Sequence, residues 1–306
     1  MEAALNFNYT DDVEATEMLK SIHAGESTWD DYTFEQKAYK GWFWPYMLQI
    51  DELVGSKRWN YWFRTILNGE LFDEPIPQIK FLGHADPEPM KNLRNCLEHH
   101  HCLMHSVGHS EFFDWLLWGF GEGNEKPRIS EKVNELWYRT FNLGPFIQKP
   151  HDYLGEIISE AKAGKTYWTN PNAFFPTPHH IVDFMTQMSF TDAPEDKDQH
   201  TMSVCDPCVG SGRFLMYASN YSLNLYGVDI DPICVKACKL NGYFYVPWLV
   251  KPVNFFDGPP SGIVQGNSLK MGFSTNAEKV SPTEKTRTIE RKPIMPRLIR
   301  DDNDSD

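Results

Sequence analysis

The chain reads as an α/β protein in which a helical domain precedes half of a Rossmann-type, doubly wound parallel sheet. Three observations predict this. Between about residues 32 and 163 apolar side chains recur at three- and four-residue spacing, as in Phe112, Trp115, Leu116 and Phe120. From Asp206 onward the texture changes to short apolar runs, each closed by an acid or a glycine and followed by a helical stretch. Two closely spaced glycines, Gly210 and Gly212, stand where the first of those runs passes into the first of those helices.

In chain order, residues 1–30 are acidic and polar and are expected to be loosely ordered, and residues 31–165 form the helical domain. Within it, residues 73–89 hold Pro75, Pro77, Pro87 and Pro89 and read as a long connection. Residues 166–273 form the sheet half. The runs 203–205, 225–228 and 263–265 end at Asp206, Asp229 and Gly266, giving strand, helix, strand, helix, strand. Residues 274–306 have few large apolar side chains and end in Asp-Asp-Asn-Asp-Ser-Asp, a composition expected of a disordered tail. Its seven Lys and Arg residues offer a nucleic-acid contact, although a solvated tail is the simpler reading.

Charge and composition narrow the function. A formal net charge of −13 counts against strong unaided binding to duplex DNA, because such affinity comes largely from phosphate neutralisation. The longest apolar stretch, residues 243–250, is broken by Pro247 and is far shorter than the roughly 20 residues a membrane helix needs. The acidic opening segment carries no basic apolar leader, so a cytoplasmic address is expected. Six cysteines in 306 residues do not suggest a disulfide framework.

The strongest chemical signal is Asp206-Pro-Cys-Val-Gly210-Ser-Gly212-Arg-Phe214. Glycine tolerates positive φ and lacks Cβ, so the backbone can turn sharply and approach a ligand. The following helix would turn free N–H groups toward an anion such as the methionine carboxylate of S-adenosylmethionine, with Asp206 facing the ammonium. Asp229, in Gly227-Val-Asp-Ile-Asp231-Pro, lies at about the offset expected of a ribose-binding carboxylate. Gly266-Asn267-Ser-Leu269 closes the third strand, where a polar side chain meets the adenine amino group. The bland alternative for the loop is a strand-to-helix turn that needs glycine for geometry alone. Asp231 has an alternative too, since an Asp before Pro232 is a good helix N-cap; the ribose is assigned to Asp229.

These residues resemble the N6-adenine DNA methylases related to type I modification subunits, and especially short forms found on phages and mobile elements. The resemblance is carried by Tyr153-Leu-Gly-Glu-Ile, Phe174-Phe-Pro-Thr177-Pro178-His-His-Ile-Val-Asp-Phe-Met, the glycine segment, Gly227-Val-Asp-Ile-Asp-Pro and Gly266-Asn-Ser-Leu. It spans about residues 110 to 270. It implies a Rossmann-type methyltransferase fold with S-adenosylmethionine as cofactor, DNA as substrate and a role in restriction and modification. It also implies cofactor contacts from Phe175, Thr177, Pro178, Asp206, Pro207, Gly210, Gly212, Phe214, Asp229, Asn267 and Leu269. Pro176 stands where relatives carry a second aromatic, and Asn267 replaces a more usual aspartate.

The family's methyl-transfer step is attributed to an Asn/Asp/Ser-Pro-Pro-aromatic loop after a fourth strand. No such run occurs: Asp257-Gly-Pro-Pro-Ser precedes the third strand and ends in serine, and Asn170-Pro-Asn-Ala-Phe lacks the second proline. Catalytic residues therefore stay unassigned, and three functions remain open: a methyltransferase whose loop is unrecognisable or comes from a partner, a non-catalytic cofactor-binding regulator or subunit, and a methyltransferase remnant acting only as an interaction module. The first strand is expected to be a sheet edge covered by the helical domain or by a partner.

Two cysteine and histidine groupings invite a metal reading. Cys205-x-x-Cys208 falls in the turn and Cys234-x-x-x-Cys238 on the next helix, so no zinc site is expected. His101, His105 and His109 share one helical face beside His99, His100, Cys96 and Cys102, and read as a polar face rather than a metal site. Trp42, Phe43, Trp44, Tyr46, Trp59, Tyr61, Trp62 and Phe63 could stack on bases, but no dense basic run interleaves them, and they are taken as core or partner surface.

Overall fold

A computed structural model describes residues 3, 13–33, 39–71, 74–103, 109–162, 174–191, 199–253, 261–270 and 272–273. Among the described residues, the α-helices that come first are α1 (Val13–His23), α2 (Trp44–Leu53), α3 (Arg58–Asn68), α4 (Pro87–Leu103), α5 (His109–Gly119), α6 (Glu131–Thr140), α7 (Gly144–Gln148) and α8 (Tyr153–Lys162). After α9 (His179–Thr191) come β1 (Ser203–Asp206), α10 (Arg213–Ala218), β2 (Asn224–Asp229), α11 (Pro232–Tyr245), α12 (Pro247–Val250), β3 (Gly262–Asn267) and β4 (Gly272–Phe273).

Strands β1, β2 and β3 lie side by side and parallel, with β4 antiparallel on the far side of β3. Their register sets Asp206 opposite Gly227 and Asp229 opposite Gln265, so the strand ends that carry the acids share one edge. This is an α/β arrangement with a small parallel sheet, rich in helix. Among the described residues β1 pairs only with β2, and its Ser203 and Cys205 are exposed. The expected sheet edge is thus present, and the preceding helices leave those two residues uncovered.

Local chemistry explains the helix ends that matter most. At the start of α3, Lys57 takes a left-handed conformation and the Asp51 carboxylate accepts from the Lys57 and Trp59 N–H groups, capping the helix from a distance. Gly69, at φ 76°, closes it. Helix α11 opens on Asp231, whose side chain accepts from Ile233 N–H, followed by Pro232 at the first position. The N-cap alternative weighed for Asp231 is thus its observed role.

The helical region and the sheet share one hydrophobic cluster. Trp42, Phe43, Trp44, Trp59, Tyr61, Trp62 and Phe63 are buried and Tyr46 is half-buried, which makes this aromatic group core rather than an exposed stacking surface. Burial of each large ring contributes about 2 kcal/mol by area. Arg58, also buried, donates to Pro77 O, Ser219 Oγ, Tyr245 O and Asn220 Oδ1, and so binds α3 to the elements around α10 and α11.

Residues 13–23, expected to be loosely ordered, instead form α1. Ala15, Met18, Leu19 and Ile22 lie on one face and are buried, so an acidic composition hid an amphipathic period. The boundary expected near residue 165, most of the His99 to His105 group and the tail 274–306 lie outside what the structure describes at side-chain level.

Candidate cofactor cleft

Strand β1 ends at Asp206 and the chain turns through residues 207–212 into α10. Gly210 at φ 55° and Gly212 at φ 90° hold the left-handed conformations that the turn requires. Close packing adds a second constraint. A Cβ on Gly212 would lie 2.6 Å from Cys238 Sγ, and one on Gly210 would lie 3.2 Å from the Phe174 ring.

The turn is held from both strand tips. Asp206 Oδ1 accepts from Cys208 N–H at 3.0 Å, and Asp229 accepts from Gly210 N–H at 2.8 Å and from Asp231 N–H at 2.8 Å. Val209 N–H donates to Val228 O and Gly212 N–H to Val209 O. The turn amides of Cys208, Val209, Gly210 and Gly212 are thus spent on the two strand-tip acids and on the carbonyls of Val228 and Val209, and the N–H groups of the first turn of α10 are not among them. Burial raises the Asp206 carboxyl above its ordinary value, and the nearby Asp229 charge adds to the effect.

Beneath the turn lies a network that sequence reasoning missed. Asp152 is fully buried and accepts from Ser211 Oγ (2.6 Å), Arg213 Nε (3.0 Å), Asn241 Nδ2 (2.8 Å) and Gly155 N–H (2.9 Å). Arg213 also donates to Thr177 O and to Glu156 Oε1. One carboxylate and one guanidinium therefore join α8, the 174–178 segment, the glycine turn and α11. Asp152 adjoins the quoted Tyr153-Leu-Gly-Glu run, and Gly155 shows why that glycine is needed, since a Cβ there would fall 2.1 Å from Asp152 Oδ2.

These elements enclose a cleft of about 280 Å³. Of the predicted site residues, Phe175, Thr177, Asp206, Gly210, Phe214 and Asp229 line it. Phe174, Cys208, Val209, Ser211, Arg213 and Asp231 join them without having been singled out as contacts. Pro178, Pro207, Gly212, Asn267 and Leu269 are not part of its lining. Gly212 instead presses against α11. Asn267 Oδ1 accepts from Leu269 N–H, the Leu269 side chain is 92% exposed, and Ser268 Oγ donates to Pro207 O.

A strand-tip acid pair, a glycine turn and an aromatic segment around one cleft invite comparison with known families. Residues 166–245 match the family model described as N-6 DNA Methylase. The match runs over the 174–178 segment, β1, the glycine turn, β2 and α11, the parts that build the cleft, and it supports a DNA-methylating, methyltransferase-like domain. No curated protein and no solved structure matches the chain.

The cysteines do not converge on one site among the described residues. Cys205 and Cys208 are exposed, whereas Cys234 and Cys238 are buried with Cys238 under Gly212. No described helix is long and apolar enough to cross a membrane.

Proposed function

We propose that this cleft binds S-adenosylmethionine and that the chain acts as a DNA adenine-N6 methyltransferase-like protein. The observation that carries this reading is the convergence of Asp206, Asp229, Gly210 and the exposed Phe175 on one cleft, within the segment matched by the N-6 DNA Methylase family. The donor set fits the cofactor's chemistry. Asp206 offers a carboxylate to the methionine ammonium. Asp229 keeps lone pairs for the ribose hydroxyls beside its two backbone contacts. Phe175, 79% exposed, offers a ring face at the mouth. The volume lies just under the usual range for small-molecule sites, about 300–1,000 Å³. That size suits the amino-acid and ribose portions, with the adenine directed out of the cleft toward Asn267 at the end of β3 and Leu269 just after it. When bound, the cofactor supplies an electrophilic methyl group; the chain's own residues bind and orient it.

A second reading is favoured by a specific observation. The 306 residues contain no Asn/Asp/Ser-Pro-Pro-aromatic run. Of the nearest approach, Ser261 is occupied structurally, accepting from Leu225 N–H and donating to Leu223 O. Among the described residues nothing pairs with the outer edge of β1, and Ile181, Phe184, Met185 and Met188 form an exposed apolar stripe at helical spacing on α9. A partner that covers these surfaces and brings the methyl-transfer loop would complete a split enzyme. A chain without one would act as a cofactor-binding regulator in restriction and modification, of the type I-related or mobile-element kind and in the cytoplasm. With a net charge of −13, DNA binding by the chain alone is expected to be weak.

Transfer of label from methyl-labelled S-adenosylmethionine to unmethylated DNA, with and without candidate partner subunits, separates the two. Label on adenine N6 only when a partner is present supports the split enzyme. Cofactor binding without transfer under any pairing supports the regulator.

A further inference from the structure

Behind the cleft, the side chains of His151, Glu156 and His179 meet, although they come from the turn before α8, from α8 itself and from the start of α9. His151 and His179 are 1% and 4% exposed, and their rings stack with centroids 4.0 Å apart. The His151 Nδ1–H donates to Leu82 O at 2.8 Å, and its Nε2 faces the Glu156 carboxylate. The His179 Nδ1 pairs with Tyr217 Oη at 3.0 Å. Neither Nε2 has a hydrogen-bond partner among the described residues. Two buried, unsatisfied imidazole nitrogens side by side are costly unless something accepts both lone pairs.

We infer that His151 Nε2, His179 Nε2 and the Glu156 carboxylate form a binding site for a divalent transition-metal ion, zinc by preference. All three ligand atoms lie within 4.8 Å of one another, and His151 Nε2 to Glu156 Oε1 is 3.5 Å. Ligands about 2.1 Å from a tetrahedral zinc ion sit about 3.4 Å apart, so the His151–Glu156 pair already has that spacing. Two imidazoles and a carboxylate are a zinc-type donor set, unlike the all-oxygen shells of calcium or magnesium.

Arg213, 2.8 Å from Glu156, does not make the site cationic. Its charge faces the buried Asp152 as well as Glu156, so the three groups together carry −1. The ion would clamp α8 and the start of α9 to the residue that follows the glycine turn. Sequence reading missed the site because its ligands come from segments with no shared motif, and it assigned no metal to the chain.

The test uses the full chain, stripped with chelator and reloaded with zinc or cobalt alone. One metal ion per chain after gel filtration is expected, together with a raised Tm. Cobalt should give the visible bands of a four-coordinate nitrogen and oxygen site, without the near-ultraviolet thiolate band that Cys205 and Cys208 would produce. Cys205→Ser/Cys208→Ser and His101→Gln/His105→Gln should keep the ion. His179→Gln should lose it, and Glu156→Gln, which keeps an acceptor oxygen for Arg213, should weaken binding at least about tenfold. Failure of the wild type to retain metal, a thiolate spectrum, or full retention by Glu156→Gln would each overturn the inference.

Discussion

At Asp152 a single buried carboxylate accepts from a serine hydroxyl, an arginine, an asparagine amide and a backbone amide. Removing it leaves Arg213 partly unpaired in the interior, a change that costs about 3 kcal/mol or more. Asp152→Ala is therefore expected to lower urea-unfolding stability by that amount and to loosen the cleft. Unchanged stability would mean that the network is not holding the turn. Asp51 allows a test of a different kind. Burial raises its carboxyl to about 6, against the lowering effect of its Trp59 and Lys57 N–H contacts and of the Arg58 charge; Glu52 adds to the rise. The folded value lies above the unfolded one, so the protonated form favours folding. This share of stability is complete below about pH 4 and is lost as pH rises through 6, on the order of 3 kcal/mol. Asp51→Asn should flatten that part of the pH profile while keeping an acceptor for only one of the two amides.

The glycine turn is the element on which the cleft depends. Gly212→Ala adds strain at φ 90° and a clash with Cys238 Sγ, together about 2 kcal/mol. Introducing Cys238→Ala beside it should recover only the share due to the clash, read by thermal unfolding of the double mutant against both singles. Turn and strands were legible from sequence because their signals are local. The runs 203–205, 225–228 and 263–265 became strands extended by one to three residues, since each apolar run ended at an acid or a glycine. What escaped was non-local or too short. The antiparallel pairing of Gly266 with Phe273 spans two residues, α1 hid its apolar face among acids, and Asp152 gains its meaning only when α8 packs under the turn. Asn267 and Leu269 were placed in the site by order along the chain, yet the cleft forms between the β1 and β2 tips and stops short of them.

Among the described residues, side-chain hydrogen bonds tie the helices to the elements around the sheet. Trp59 and Trp62 donate their indole N–H groups to Tyr243 O and Lys251 O, and Arg58 spans the same boundary. A single cooperative denaturation transition is expected, monitored by tryptophan fluorescence and circular dichroism in parallel. Two separated transitions would show that the helical region and the sheet are independent units. The cleft sits on this rigid base, while the β1 edge and the apolar stripe of α9 face outward.

The most direct measurement is calorimetric titration of the purified chain with S-adenosylmethionine, repeated with Asp229→Ala and Asp206→Ala. Saturable one-site binding to the wild type is expected, weakened by about ten- to a hundredfold in each variant, in keeping with about 1.5–3 kcal/mol for a hydrogen bond to a charged group. It should also weaken as pH falls toward the raised Asp206 value. Absence of binding heat and of any thermal shift, or equal affinity in all three proteins, would contradict the assignment of the cleft.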